Sequence, residues 1–78
     1  MSDIEDRIRR LISRNLSVAE EDVVPTARLI EDLGADSLDA VELVISLEDE
    51  FAVQLTDDQV ASIRTVGDAV DLIGKVAA

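Results

Sequence analysis

The sequence predicts an all-α fold: a small bundle of three longer helices and one short helix, with a long loop between the first and second. Apolar residues recur at the three- and four-residue spacing of helices along most of the chain. Sequences typical of helix N-termini precede several of these stretches. The one stretch that alternates apolar and polar residues, 51–55, is too short to pair alone.

Length and composition indicate one small domain that is stabilised by packed aliphatic side chains. The chain has 78 residues, no cysteine and no histidine, so it can form neither a disulfide nor a Cys/His zinc site. Phe51 is its one aromatic residue. Without histidine or cysteine, the usual catalytic triads are excluded, and we do not expect an enzyme.

The charge is strongly negative and unevenly distributed. Seven Lys and Arg face eighteen Asp and Glu, which gives a net charge of -11. Nucleic acid is therefore not an expected partner, because phosphate binding needs Lys and Arg. No basic residue lies between Arg28 and Arg64, where more than half of the acidic residues fall. This segment is either a solvated acidic surface or a docking face for basic partners.

The termini and hydropathy bear on location. The N-terminal residues are acidic, without the apolar core of a secretory signal, and no apolar run approaches the ~20 residues that span a bilayer. We expect a cytoplasmic protein without a membrane span, and a monomer as the simplest state.

The first helix is predicted from a capping box at Ser2-Asp3-Ile4-Glu5 to about Asn15. Its apolar stripe consists of Ile4, Ile8, Leu11 and Ile12. A long irregular connection follows, from about Leu16 to Asp36, in which Pro25 prevents an uninterrupted helix. Within it, residues 20–22 are expected to form a short turn, and Leu29, Ile30 and Leu33 to anchor the loop to the core.

Three further helices are predicted. The second runs from Asp36 or Ser37 to about Phe51. The third is short and follows the capping box 56–59, Thr-Asp-Asp-Gln. The fourth begins at Thr65-Val66-Gly67-Asp68, and its apolar stripe consists of Val66, Ala69, Val70, Ile73, Val76 and Ala77.

The second helix carries two apolar stripes. At ~100° per residue, one side is an ordinary core stripe that contains Ala40, Leu43, Val44, Leu47 and Phe51. Roughly opposite lies a second stripe of Leu38, Val41 and Ile45, flanked by Glu42, Glu48 and Asp49. This second stripe either packs beneath the long loop or forms a partner-binding face with an acidic rim.

Ser37 places a hydroxyl between Asp36 and Asp39 at the start of the second helix. One interpretation is that these residues form a helix cap and have no further role. No His, Lys or Cys lies nearby to activate the hydroxyl, so a reactive Ser37 is more readily a site modified by another protein than a nucleophile of its own. A calcium loop counted from Asp32 fails, because Ser37 falls at the sixth position and Leu43 at the twelfth. We predict no metal site.

In these residues the chain resembles the acyl carrier proteins of bacterial type II fatty acid synthesis. Residues 31–39, Glu-Asp-Leu-Gly-Ala-Asp-Ser-Leu-Asp, carry the resemblance together with Ala40-Val41-Glu42-Leu43-Val44. It extends over nearly the whole chain, including its length, its acidity and the start of the last helix. The resemblance implies that residues 1–78 form a single acyl carrier domain.

The resemblance also implies a set of roles. A phosphopantetheinyl transferase would attach 4'-phosphopantetheine from coenzyme A to Ser37, with Asp36 helping to position Mg²⁺ and the cofactor. The arm's thiol would carry acyl chains as thioesters. The partner-binding residues would meet basic patches on fatty acid synthesis enzymes; they are Leu38, Asp39, Val41, Glu42, Ile45, Glu48 and Asp49. The core around Leu43, Leu47, Phe51, Ile63, Val66 and Ile73 would open for the acyl chain.

Two positions and one segment depart from the family pattern. Thr56 stands where a proline commonly precedes the third helix, Pro25 occupies a loop position that is often polar, and residues 51–56 differ from the usual segment. All three concern loop geometry and not the serine or the face of the second helix. They leave open a specialised polyketide, peptidyl or lipid A-type carrier.

Overall fold

A computed structural model describes residues 3–77 as four α-helices and one short 3-10 helix, with no strand in this range. The α-helices are α1 (Asp3–Leu16), α2 (Ser37–Phe51), α3 (Asp57–Ala61) and α4 (Val66–Val76). The all-α prediction and all four helix positions are confirmed. The predicted cap at Ser2 lies outside the described residues.

The core is aliphatic and lies between α1, α2 and α4. The stripes predicted from the sequence supply it: Ile8 and Ile12 from α1, Leu47 from α2 and Ile73 from α4 are at most 1% exposed. The long loop adds further buried side chains, namely Val23, Ala27, Leu29, Leu33 and Ala35. No buried polar side-chain atom in residues 3–77 lacks a hydrogen-bond partner.

Arg7 and Arg9 each fasten α1 to a different part of the chain. Arg7 forms an ion pair with Glu50 at 2.6 Å, and its guanidinium lies 4.4 Å from the centre of the Phe51 ring, which ties α1 to the end of α2. Arg9 donates to the carbonyls of Val23 and Glu20, both at 2.9 Å. It thereby holds the 3-10 helix Glu20–Asp22, where a short turn was predicted.

Backbone hydrogen bonds join the long loop to the segment that precedes α4. An isolated antiparallel bridge pairs Arg28 with Thr65: Leu29 N–H donates to the Arg64 carbonyl, and Val66 N–H to the Ala27 carbonyl, both at 3.0 Å. Gly67 N–H also donates to the Pro25 carbonyl at 2.9 Å. A Cβ atom at Gly67 would lie 3.0 Å from that oxygen, so this close approach favours glycine.

Capping boxes start α3 and α4 as the sequence predicts. Thr56 N–H donates to the Gln59 side chain, and Gln59 N–H to the Thr56 hydroxyl. Proline at position 56 would have no N–H to donate, so Thr56 supplies one bond of this cap. At α4, hydrogen bonds from the backbone N–H groups of Thr65 and Arg64 lower the pKa of Asp68 from its ordinary value.

One of the predicted loop anchors is wrong. Leu29 and Leu33 are buried, but the Ile30 side chain is 59% exposed. The tight turn of residues 28–35 explains this, because Ala35 N–H donates to the Leu29 carbonyl and Gly34 N–H to the Ile30 carbonyl. With Leu29 and Leu33 directed into the core, Ile30 is left at the surface.

Candidate functional site

A glycine and a carboxylate determine the conformation of the loop that leads into α2. Gly34 has φ of +76°, a left-handed conformation that glycine adopts at little cost. Two residues earlier, Asp32 accepts hydrogen bonds from Arg28 N–H at 2.8 Å and from its guanidinium at 3.2 Å. The hydrogen bond to the Arg28 guanidinium, followed by that to its backbone N–H, lowers the pKa of Asp32. This turn thus fixes the position of the α2 N-terminus.

Asp36, and not Ser37, caps α2. Asp36 Oδ1 accepts from Asp39 N–H at 2.8 Å, while Asp39 Oδ2 accepts from Asp36 N–H at 3.2 Å. These reciprocal bonds satisfy two backbone donors at the start of the helix. The cap interpretation is therefore correct for the two carboxylates, whereas the Ser37 side chain takes no part in the cap.

Ser37 is the first residue of α2 and is exposed. Within residues 3–77 its hydroxyl has no hydrogen-bond partner, in contrast to the Ser13 and Ser62 hydroxyls, which donate to backbone carbonyls. The N-terminus of a 15-residue helix favours negative charge and phosphate groups. An accessible hydroxyl therefore stands where an attached phosphate would be stabilised.

The second apolar stripe of α2 is open to solvent. Leu38, Val41 and Ile45 are 65%, 55% and 52% exposed. The alternative that these side chains pack beneath the long loop is therefore wrong. The loop packs instead against the core and against the segment before α4, as its buried residues and the bridge at Thr65 show.

The acids around this stripe differ in their surroundings. Glu42 and Asp49 are exposed and form no hydrogen bond or ion pair within residues 3–77. Asp39 is engaged in the helix cap, and Glu48 Oε2 accepts a hydrogen bond from Leu55 N–H at 2.9 Å. Glu42 and Asp49 are thus the acids most available to an external cation.

Two mainly apolar cavities flank the first turns of α2. One, of about 360 Å³, has walls from Leu29, Ile30, Ala40 and Ile63 and a polar rim that includes Arg64 and Thr65. The other, of about 300 Å³, lies between α2 and the start of α3 and is lined by Val41, Val44, Ile45, Leu55 and Val60. Ala40 contributes to both, one turn beyond Ser37.

The described residues contain no group of three or more potential ligands arranged to hold a metal ion. Likewise, no helix within residues 3–77 has both the length and the apolar character needed to cross a membrane.

Comparisons with known proteins identify the class to which this fold and site belong. Residues 6–73 match the family model described as a phosphopantetheine attachment site. Among solved structures, a chain from Mycobacterium tuberculosis that is described as an acyl carrier protein superposes with a TM-score of 0.86 at 32% sequence identity. The match covers 92% of this chain and 96% of that one.

The chain therefore belongs to the phosphopantetheine attachment-site family. Its function is that of an acyl carrier protein, which holds acyl groups on covalently attached 4'-phosphopantetheine and is not an enzyme. The start of α2 fits this group, since it combines an exposed, unbonded hydroxyl with the amide dipoles of a helix N-terminus.

Sequence reasoning missed two features of the site. It placed Ile30 in the core, whereas this side chain forms part of a cavity wall near Ala40. It also treated Glu48 as a rim acid alone, although its carboxylate holds the backbone seven residues further on. Neither follows from helix periodicity, because both arise where a loop returns to a helix.

Proposed function

We propose that Ser37 bears the 4'-phosphopantetheine arm, and that residues 1–78 form a single cytoplasmic carrier domain that delivers growing acyl chains to fatty acid biosynthesis enzymes. The exposed, unbonded hydroxyl at the first residue of α2 carries the assignment. The motif at residues 31–39, which resembles the carriers of type II fatty acid synthesis, supports the choice of pathway.

Attachment requires chemistry that this chain does not supply. The Ser37 oxygen forms a bond to the phosphorus of coenzyme A that bears the pantetheine, and the adenosine 3',5'-bisphosphate leaves. No His, Lys or Cys lies near Ser37 in the sequence to take its proton, and the carboxylates of Asp36 and Asp39 both accept hydrogen bonds in the cap. The base and Mg²⁺ therefore come with a phosphopantetheinyl transferase.

The experiment is an intact-mass measurement with site mapping. The apo-protein is incubated with coenzyme A, Mg²⁺ and a phosphopantetheinyl transferase. We expect a gain of one phosphopantetheine group, located on the peptide that contains Ser37. A protein that gains no mass although it is verified as apo and folded contradicts the proposal, as does modification confined to another serine.

Asp36 has two roles that conservative substitution separates. Asp36→Ala removes the acceptor for Asp39 N–H and is expected to lower stability by about 0.5–2 kcal/mol. Asp36→Asn keeps an oxygen acceptor, so its melting temperature should stay close to that of the wild type. We expect both variants to slow loading by the transferase, because both lose the carboxylate that would help to position Mg²⁺. Loading of Asp36→Asn at the wild-type rate would leave Asp36 with the cap alone.

The exposed stripe of α2 is the proposed docking face. Glu42 is suited to an electrostatic test of it, because its carboxylate forms no bond within the described residues. Glu42→Lys is expected to lower the transferase kcat/KM about tenfold at low salt, and less as salt screens the contact. Asp71→Lys is the matched control, since Asp71 is an exposed acid on α4 and the change in net charge is the same. Equal effects of the two reversals would show that overall charge matters and this face does not.

The pathway is tested by transfer assays with the loaded protein. We expect an acyl-loaded sample to serve a condensing enzyme of fatty acid synthesis at a higher kcat/KM than one of polyketide synthesis. The reverse preference would assign the chain to a specialised pathway while leaving Ser37 as the attachment residue.

A further inference from the structure

Glu48 contacts both sides of the connection between α2 and α3. Its side-chain Oε2 accepts from Leu55 N–H at 2.9 Å, and its backbone carbonyl accepts from Ala52 and Val53 N–H. Ala52 is in the left-handed conformation, with φ of 53°, and ends α2 as its C-cap. Glu48 therefore holds the start of the α2–α3 connection through its carbonyl and the end of it through its carboxylate.

The position of α3 depends on this connection. With five residues, α3 is too short to be stable on its own, and its position is set by what precedes and follows it. Leu55 lies two residues before α3 and lines the cavity between α2 and α3 together with Val60, Val41 and Ile45. A change at the Leu55 N–H therefore reaches the wall of that cavity.

We propose that Glu48 is a positioning residue that couples two events. These are the docking of a basic partner on α2 and the weakening of the hydrogen bond from Leu55 N–H that fixes the α2–α3 connection. The inference rests on the proposed function of the α2 face. The same half-buried carboxylate serves two donors, Leu55 N–H inside the molecule and a partner's Lys or Arg outside it. A cation bound to Glu48 withdraws negative charge from the internal bond and weakens it. The connection then loosens beside the cavity, and by linkage the internal bond opposes docking to the same extent.

The first test uses the free protein and needs no partner. Amide hydrogen exchange of Leu55 and of α3 is compared in the wild type, Glu48→Ala and Glu48→Gln. We expect Glu48→Ala to accelerate exchange by about tenfold or more, because the Leu55 amide loses its charged acceptor. Glu48→Gln retains an oxygen acceptor and should lie much closer to the wild type. Glu42→Ala, which removes an acid that forms no bond within the described chain, should leave the exchange unchanged.

The second test adds the phosphopantetheinyl transferase without coenzyme A, so that docking occurs without chemistry. We expect exchange of the Leu55 amide to rise about threefold or more in the complex with wild-type protein, and to stay unchanged in Glu48→Gln, whose neutral amide attracts no cation. An unchanged or slower Leu55 exchange in the wild-type complex would overturn the inference, as would wild-type exchange in free Glu48→Ala. If Leu55 exchange overturned the inference while Ser37 was still loaded normally, the proposed function would remain intact. If Ser37 were not loaded, the proposed function would fail, whatever the exchange of Leu55.

Discussion

Ser37→Ala is expected to abolish the gain of phosphopantetheine on incubation with coenzyme A and a transferase. The phosphodiester needs a side-chain hydroxyl, and alanine has none. The fold should survive, because Asp36 and Asp39 form the cap of α2 and the Ser37 hydroxyl forms no hydrogen bond within residues 3–77. Intact mass reports the first effect, and circular dichroism with a melting curve reports the second.

Ser62→Ala is the matched control for this loss. Ser62 is also an exposed serine next to a helix, but it follows α3 and its hydroxyl donates to the Gln59 carbonyl at 2.7 Å. We expect it to be loaded at the wild-type rate. Equal loading of Ser37→Ala and the wild type would move the attachment to another residue and leave only the family assignment standing.

Leu47→Ala is expected to be among the most destabilising truncations on α2. The side chain is 1% exposed and belongs to the core that also contains Ile8, Ile12 and Ile73. Truncation of a buried leucine costs about 2–5 kcal/mol. Domains of this size have little stability in reserve, so we expect the melting temperature to fall by roughly 10 °C or more. Denaturant titration followed by circular dichroism measures the free energy directly.

Leu38→Ala makes the same chemical change nine residues earlier on the same helix. Leu38 is 65% exposed, so its truncation should alter stability by no more than about 0.5 kcal/mol. Its effect is expected in partner binding, because truncation of a side chain that is covered by a partner removes buried apolar surface. If Leu38→Ala were as destabilising as Leu47→Ala, the two stripes of α2 would not divide into core and docking face.

The helices and their starting points were predictable because they depend on local interactions. The pairs Thr56 with Gln59 and Thr65 with Asp68 lie three residues apart, so the sequence shows each capping box directly. The buried stripes of α1 and α2 follow in the same way from a period of 3.6 residues. Ser37 was proposed as the attachment residue through its motif, since its local chemistry alone favoured a simple cap.

The long loop was not predictable in the same way. Its path depends on contacts between residues far apart in the sequence, such as the bridge between Arg28 and Thr65 and the bonds from Arg9 to the Val23 and Glu20 carbonyls. Periodicity carries no information about these contacts. The exposure of Ile30 and the bond from Leu55 to Glu48 both result from such returns of a loop to a helix.

Because Asp36 and not Ser37 caps α2, the residue at position 37 can be replaced for protein engineering. The carboxylates of Asp36 and Asp39 form the cap, so the side chain at position 37 can be changed without removing a cap bond. Since the sequence contains no cysteine, Ser37→Cys would give a chain with one thiol, placed where the natural arm is proposed to begin. A maleimide dye, a spin label or a synthetic acyl mimic attached there would report on docking without any enzymatic loading.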